Sequence, residues 1–264
     1  TMSDTELKID DNATVTLVFS EAVIDFDSDD DITVPNGSLS TMTSDDNRTW
    51  EGTFTPDNDT EDDNNTLSLG TTYTDLAGNN GPAETTANYE VDTLAPTVSS
   101  VAITDAAGVQ NSFVNAGDNV SVTATFSEAV IVDNSSGNNP TITLVVGTDD
   151  NRTAVYASGD NSTELVFRYT IQAGDNDSNG ISIGANALDN NSSTIRDRAG
   201  NIATDITHSA VDNNSSYKVD TTAPSVDNFT MNDTELKIGD NATVTLKFSE
   251  AVILFNSDAD ITDD

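Results

Sequence analysis

Cysteine is absent from the 264 residues, and histidine occurs once, at His208. Without thiols there can be no disulfide framework, no thiolate metal site and no Cys–His nucleophile, and one imidazole cannot build a histidine metal cluster. His208 lies in a polar stretch with no recognisable partner, and no Gly-x-Ser-x-Gly turn is present to strain a serine nucleophile. So acidic a chain leaves paired carboxylates for glycoside hydrolysis open, but a catalytic groove normally offers aromatic platforms and aromatic residues make up only 6%. The sole tryptophan, Trp50, sits in an alternating stretch where core packing accounts for it. The chain therefore reads as non-enzymatic. Basic residues are also scarce: 9 against 46 acidic, for a formal net charge of −37. That balance argues against nucleic acid as a partner, and against anionic membrane surfaces unless cations bridge. No apolar run reaches the length of a membrane span and no signal peptide is visible. Because the sequence opens in the middle of a repeat, it reads as an internal piece of something longer.

What is abundant is carboxylate. Three explanations fit: a halophilic surface, a disordered acidic chain, or sites for hard divalent cations, which take carboxylate oxygens. Disorder is the weakest, since 35% of residues are hydrophobic and alternate over many short runs between turn residues.

An internal repeat organises the chain. Thr1 to Thr33 aligns without a gap to Thr230 to Thr262 and matches at about 27 of 33 positions. Phe19-Ser20-Glu21-Ala22-Val23 reappears as Phe248-Ser249-Glu250-Ala251-Val252, and a more distant copy carries Phe126-Ser127-Glu128-Ala129-Val130. Two stiff connectors, Asp92-Thr93-Leu94-Ala95-Pro96 and Asp220-Thr221-Thr222-Ala223-Pro224, punctuate the repeat. Proline fixes its own φ and pushes the preceding residue to an extended conformation. The expected modules are residues 1–96 (its opening strand missing), 97–224, and the N-terminal part of a third at 225–264.

Within a module the pattern is all-β. Ala13 to Phe19 alternates with period 2, placing Val15, Leu17 and Phe19, or their alternates, on one face. Thr49 to Phe54, Thr66 to Leu69 and Thr71 to Tyr73 read as further strands, as do Thr141 to Val146, Thr153 to Ala157, Glu164 to Ile171 and Gly180 to Ile183. Clusters such as Asp45-Asp46-Asn47 and Asp149-Asp150-Asn151 mark turns. About seven short strands in roughly a hundred residues is the signature of an Ig-like Greek-key β-sandwich, here in tandem as an extended rod.

Phe-Ser-Glu-Ala-Val, then Asp-x-Ala-Gly-Asn (Asp75 to Asn79, Asp197 to Asn201), then Val-Asp-Thr-x-Ala-Pro resembles the bacterial Ig-like repeats of giant surface adhesins, the extender modules of repeats-in-toxin and biofilm adhesins. The resemblance implies an extracellular, cell-surface array of sandwiches stiffened by Ca²⁺. Its partners would be neighbouring modules of the same chain or fibre, with host or biofilm surfaces met by other regions and no membrane insertion. In a seven-stranded sandwich the end of the second strand and the loop between the last two strands share the leading end. Glu128 and Asp197 are thus expected to meet Asp92, and Glu250 to meet Asp220, with Glu21 and Asp75 in the same places of the first module. Carboxylates from three segments suit an ion that takes six to eight oxygens. Linker and loop acids share calcium in a similar way at cadherin joints. The plainer alternative is that Asp75 and Asp197 only nucleate Asx-turns, with Gly78 and Gly200 at positive φ.

Asp175-Asn176-Asp177-Ser178-Asn179-Gly180 matches the first half of an EF-hand-type loop, with candidate ligands Asp175, Asp177 and Asn179. Its twelfth position is Asn186 rather than Glu, and an ordinary turn fits equally. The run Asp25 to Asp31 reads as a solvated acidic loop. Sequons at Asn12, Asn47, Asn119, Asn134, Asn151, Asn161, Asn228 and Asn241 would matter only in a glycosylated surface filament. Two other functions stand beside the extender. One is a glycan- or protein-binding module, for which Tyr156, Tyr169 and Phe167 are the available aromatics. The other is a self-assembling surface filament completed by strand exchange.

Overall fold

The computed structural model describes residues 1–147 and 151–261, and its regular structure is nearly all β-strand. The turn at Asp149-Asp150 lies outside the described residues. Ala13–Val18 pairs antiparallel with Thr49–Pro56, setting Ala13 opposite Phe54 and Leu17 opposite Trp50, and Gly37–Leu39 extends that sheet. Glu6–Leu7 runs parallel to Tyr89–Asp92, which pairs antiparallel with Glu61–Asn65. Between these layers Leu7, Ala13, Val15, Phe54, Leu67, Tyr73, Tyr89 and Val91 form one closed core. The period-2 expectation holds: Ala13 and Val15 are buried, Leu17 and Phe19 pack beside them, and Val18 points out. Trp50 packs edge-on against Phe26 at 4.9 Å, as a core role requires. Phe54 is fully buried, and its truncation to alanine should cost about 3–5 kcal/mol.

The second core gathers Val101, Val120, Val122, Phe126, Ile142, Leu144, Leu165, Phe167, Ile183, Ile195 and Val219. Its strands run Val98–Ala106, Asn119–Asp133, Ser162–Thr170, Asn151–Ser158, Thr141–Val145 and Ser182–Asp189 in spatial order. Asn119–Asp133 pairs with Val98–Ala106 on one side and is long enough to serve two more partners. Up to Thr125, and again at Val130, it pairs with Ser162–Thr170, and from Ile131 it pairs with Thr194–Arg196. The Phe-Ser-Glu-Ala-Val motif sits at this crossing. Phe113–Val114 lies parallel to Lys218–Asp220, which pairs with Asn176–Asp177. That arrangement repeats the parallel start and antiparallel flank of the first unit. Each unit is thus an Ig-like sandwich whose last strand runs straight into a proline connector.

Beyond the second connector, Val226–Met231 and Val244–Phe248 form an antiparallel pair. Local chemistry moved several boundaries. Thr71 to Tyr73 is not a strand; Thr74–Asp75 pairs with Val23–Ile24 instead. The strand expected at Gly180 to Ile183 runs Ser182–Asp189. The Asp25 to Asp31 run is not a solvated loop throughout: Asp27 caps a short helix, Ser28–Asp31. Asp31 is buried there, accepting hydrogen bonds from Thr72 Oγ1 and the Asp27 amide.

Candidate metal centre

The two Asp-x-Ala-Gly-Asn segments fold into the same turn. Asp197 Oδ1 accepts from the Gly200 and Asn201 amides at 2.6 and 2.8 Å, and Oδ2 accepts from Asn201 Nδ2 at 2.8 Å. Asp75 Oδ1 accepts from the Ala77 and Asn79 amides, and Oδ2 from Asn79 Nδ2 at 2.7 Å. Gly78 and Gly200 have φ of 84° and 106°, a region that costs an L residue about 1–2 kcal/mol. The Asx-turn is therefore real. It leaves about one lone pair free on each carboxylate, so it does not preclude a second role.

At the first joint the turn is pressed against the preceding module. Asn201 Nδ2 donates to the Asp92 carbonyl at 2.8 Å, and Asn201 Oδ1 accepts from the Ile9 amide at 2.9 Å. The connector is fixed on both sides. Thr93 Oγ1 donates to the Asp57 carbonyl at 2.6 Å and accepts from the Thr60 amide at 3.0 Å. Further on, the Thr97 amide donates to Ser127 Oγ at 3.0 Å, while the Ser127 amide donates to the Thr97 carbonyl. The serine of Phe-Ser-Glu-Ala-Val thereby holds the start of the new strand, and the next residue, Glu128, is delivered to the joint.

Asp92, Glu128 and Asp197 converge there, each offering an oxygen within 4.8 Å of the others. Oxygens bound to one Ca²⁺ at about 2.4 Å stand at most about 4.8 Å apart, a condition that the three meet pairwise. The three candidate ligands are all carboxylate oxygens, which suit a hard cation. Asp197 is 1% exposed, and among the described residues the ion pairs of lysine and arginine go to Asp11, Asp175 and Asp227 rather than to this cluster. The electrostatic consequence is marked. Burial, then Asp197, Asp92 and Glu61, push the Glu128 carboxyl up to about 7. Burial, Asp197 and Glu61 likewise raise Asp92. Three carboxylates in this space repel, and a proton or a cation relieves them.

Glu61 was missed in the sequence. It sits opposite Asp92 in the strand pairing, and no motif marks it. Asn201 was visible as part of a motif, but its bonds to Ile9 and Asp92 were not, because they depend on how two modules meet.

The other candidates are placed differently. Asp220 and Glu250 line one cleft at the second joint with Phe113, Val114, Pro224 and Val252, where Asn176 takes the strand position that Glu61 holds at the first. Thr221 repeats the threonine staple, donating to the Asp175 carbonyl and accepting from the Gly174 amide, both at 2.9 Å. Glu21 and Asp75 line a cleft at the leading end of the first module. Glu84 lines that cleft too, but among the described residues neither pair belongs to a group of three acids as close as that at the first joint. The Asp175 to Gly180 loop is not gathered into such a group either. Asp175 is buried; its Oδ1 accepts from Arg152 Nε at 2.7 Å, and its Oδ2 from the Tyr169 hydroxyl and the Gln172 amide. Burial works to raise that carboxyl, and these donors hold it below the ordinary value. Asp177 accepts from the Gly147, Asn179 and Gly180 amides, so both acids have protein partners. The aromatic patch needs correction. Phe167 is fully buried, Tyr169 is nearly so with its hydroxyl on Asp175, and Tyr156 packs against the core. None forms a platform, because all three lie on the inward face of their strands.

Residues 1–91 match the family model described as a bacterial Ig-like domain, and that part of the chain is similar to such domains. These domains are typically structural rather than enzymatic, and often belong to extracellular surface proteins. No curated protein and no solved structure matches the chain.

Proposed function

We propose that this chain is an extender segment of an extracellular adhesin or surface fibre, in which Ca²⁺ at the joints between Ig-like modules sets the stiffness of the rod. The observation that carries the reading is the convergence of Asp92, Glu128 and Asp197 from a connector, a strand crossing and a loop. Two modules contribute, so an ion held there ties them together. Asp92 belongs to the outgoing strand of one; Glu128 and Asp197 belong to the leading end of the next. Chelation would leave mutually repelling carboxylates at the joint, and the modules would be held there by the bonds of Asn201 to Ile9 and to the Asp92 carbonyl. A net charge of −37 fits a chain that works at the millimolar calcium found outside cells.

Calorimetric titration of the full chain with Ca²⁺, repeated on Glu128→Gln, tests this reading. The native chain should bind in the micromolar to millimolar range, and the variant should lose the tightest site. Identical isotherms would remove the first joint from the account.

A further inference from the structure

The strand Ser182–Asp189 does not pair evenly with Thr141–Val145. Ile142 stands opposite Leu188 and Leu144 opposite Ile183. One residue separates the first pair's strand positions, but Gly184, Ala185, Asn186 and Ala187 separate the second, so this stretch bulges from the sheet. Asn186 turns the bulge with a φ of 56°. Amides that point out of a sheet must find other acceptors, and here two of them find a side chain. The Ala187 and Leu188 amides donate to His208 Nε2 at 2.8 and 3.3 Å. Two more bonds close the contact: the Asn186 amide donates to the His208 carbonyl at 3.1 Å, and the His208 amide donates to Asn186 Oδ1 at 2.9 Å.

These bonds define the state of the ring. A nitrogen that accepts from amides carries no hydrogen, so the hydrogen is on Nδ1, which donates to the Ser209 carbonyl at 2.8 Å. A proton added at Nε2 would set an N–H against two N–H groups, one of them on Leu188, which is 5% exposed. We propose that His208, the only histidine in the chain, is an acid-released clasp that holds residues 204–210 on the bulge while its ring is neutral and frees them when it is protonated. The release is local, because the clasp is bracketed by other bonds. The Ala203 amide donates to the Ile195 carbonyl at 2.9 Å, and Ile183 and Val211 exchange amide bonds at 3.0 and 2.8 Å. The freed stretch lies between the Asp197–Asn201 turn and Lys218–Asp220, the strand that enters the second connector. The elements bonded to His208 bring three ionisable groups, Asp189 on the bulged strand and Asp205 and Asp212 on the segment that carries the ring, while Thr141–Val145 brings none. Asp205 Oδ1 is occupied by the Thr207 amide and hydroxyl, and among the described residues no ion pair includes His208. The negative charge of these acids favours an imidazolium once the ring has left the amides. Nothing in the clasp depends on calcium.

Amide hydrogen exchange of the full chain in chelator, followed by NMR at about pH 7.5 and 5.5, tests the clasp. An imidazole free of such bonds titrates near pH 6.5, so the opened form should gain about tenfold over that interval. Protection of the Ala187 and Leu188 amides, corrected for intrinsic exchange, should fall by the same factor. Val122, paired on both sides in the buried core, should keep its protection. Without calcium, acidification relieves the repulsion at Glu128, an effect of opposite sign that cannot imitate the loss. The single imidazole should show Nε2 bare at the higher pH. His208→Gln, whose side-chain oxygen accepts but does not titrate, should lose the response. A hydrogen on Nε2 at pH 7.5, protection at Ala187 and Leu188 that does not change with pH, an equal fall at Val122, or a response kept in His208→Gln would overturn the proposal. The first three are read on the native chain and stand whether or not the variant folds.

Discussion

The turns Asp75–Asn79 and Asp197–Asn201 have the same sequence pattern and nearly the same internal hydrogen bonds, yet Asn79 is exposed and Asn201 is 2% exposed. The first faces solvent; the second is clamped between modules, one amide group bonding Asp92 and Ile9. The turn is therefore a local property of five residues, while the candidate site is a property of the contact. An Asp-x-Ala-Gly-Asn sequence makes a receptor. A connector from the module ahead makes it a candidate site.

Breaking the clamped turn should have the largest effect. Asn201→Ala leaves the Ile9 amide and the Asp92 carbonyl without their partner, and orphaned buried groups cost about 1–3 kcal/mol each. Asn79→Ala removes one exposed bond to Asp75 and should cost under about 1 kcal/mol. Thermal unfolding of both variants measures the gap, and equal losses would mean that the joint contact contributes nothing.

The carboxylates sharpen the same comparison. Glu128→Gln should weaken calcium binding by about tenfold or more, since affinity follows ligand charge, whereas Glu21→Gln at the open end should change it little. Without calcium the sign reverses. Glu128 has a folded-state value of about 7 against an ordinary 4.5. Between those values the folded chain holds a proton that the unfolded chain has lost, so stability falls as pH rises through the window. Asp197, Asp92 and Glu61 are the groups that face it. Calcium-free native protein should thus lose stability from about pH 4.5 to 7, Glu128→Gln should not, and calcium affinity of the native chain should climb over the same interval and then level. Denaturant melts across that range check all three.

The staples come next. Thr93→Val and Thr221→Val each remove a hydroxyl that bonds twice. Both should cost about 1–3 kcal/mol, but only Thr93→Val should also weaken calcium binding, because Thr93 fixes Asp92. The glycine pair gives the smallest difference. Gly200→Ala and Gly78→Ala share the penalty of positive φ, about 1–2 kcal/mol. A Cβ at Gly200 would also meet Lys8 Cδ at 3.3 Å, while one at Gly78 meets nothing. The difference between the two in melting temperature isolates the module contact.

Much of the fold was legible because alternation and turn chemistry are local. Ala13 to Phe19, the two connectors and the Asx-turns could all be read from a few adjacent residues. The meeting of Glu128, Asp197 and Asp92 was legible only through strand order, by asking which ends of a sandwich lie together. Glu61 was not legible, since cross-strand neighbours follow from register and nothing in Glu61-Asp62-Asp63 announces it. Nor was the fate of Asp175, whose EF-hand-like spacing hides a salt bridge to Arg152 from a neighbouring strand. Tyr156 and Tyr169 misled for a related reason: composition counts aromatics but does not say which face of a strand they occupy.

The most direct test of calcium at the joint is small-angle X-ray scattering on the full chain in millimolar calcium and again in chelator. The account predicts a longer and more sharply bounded distance distribution with calcium, lost in Glu128→Gln. Superimposable curves in the two conditions would contradict it.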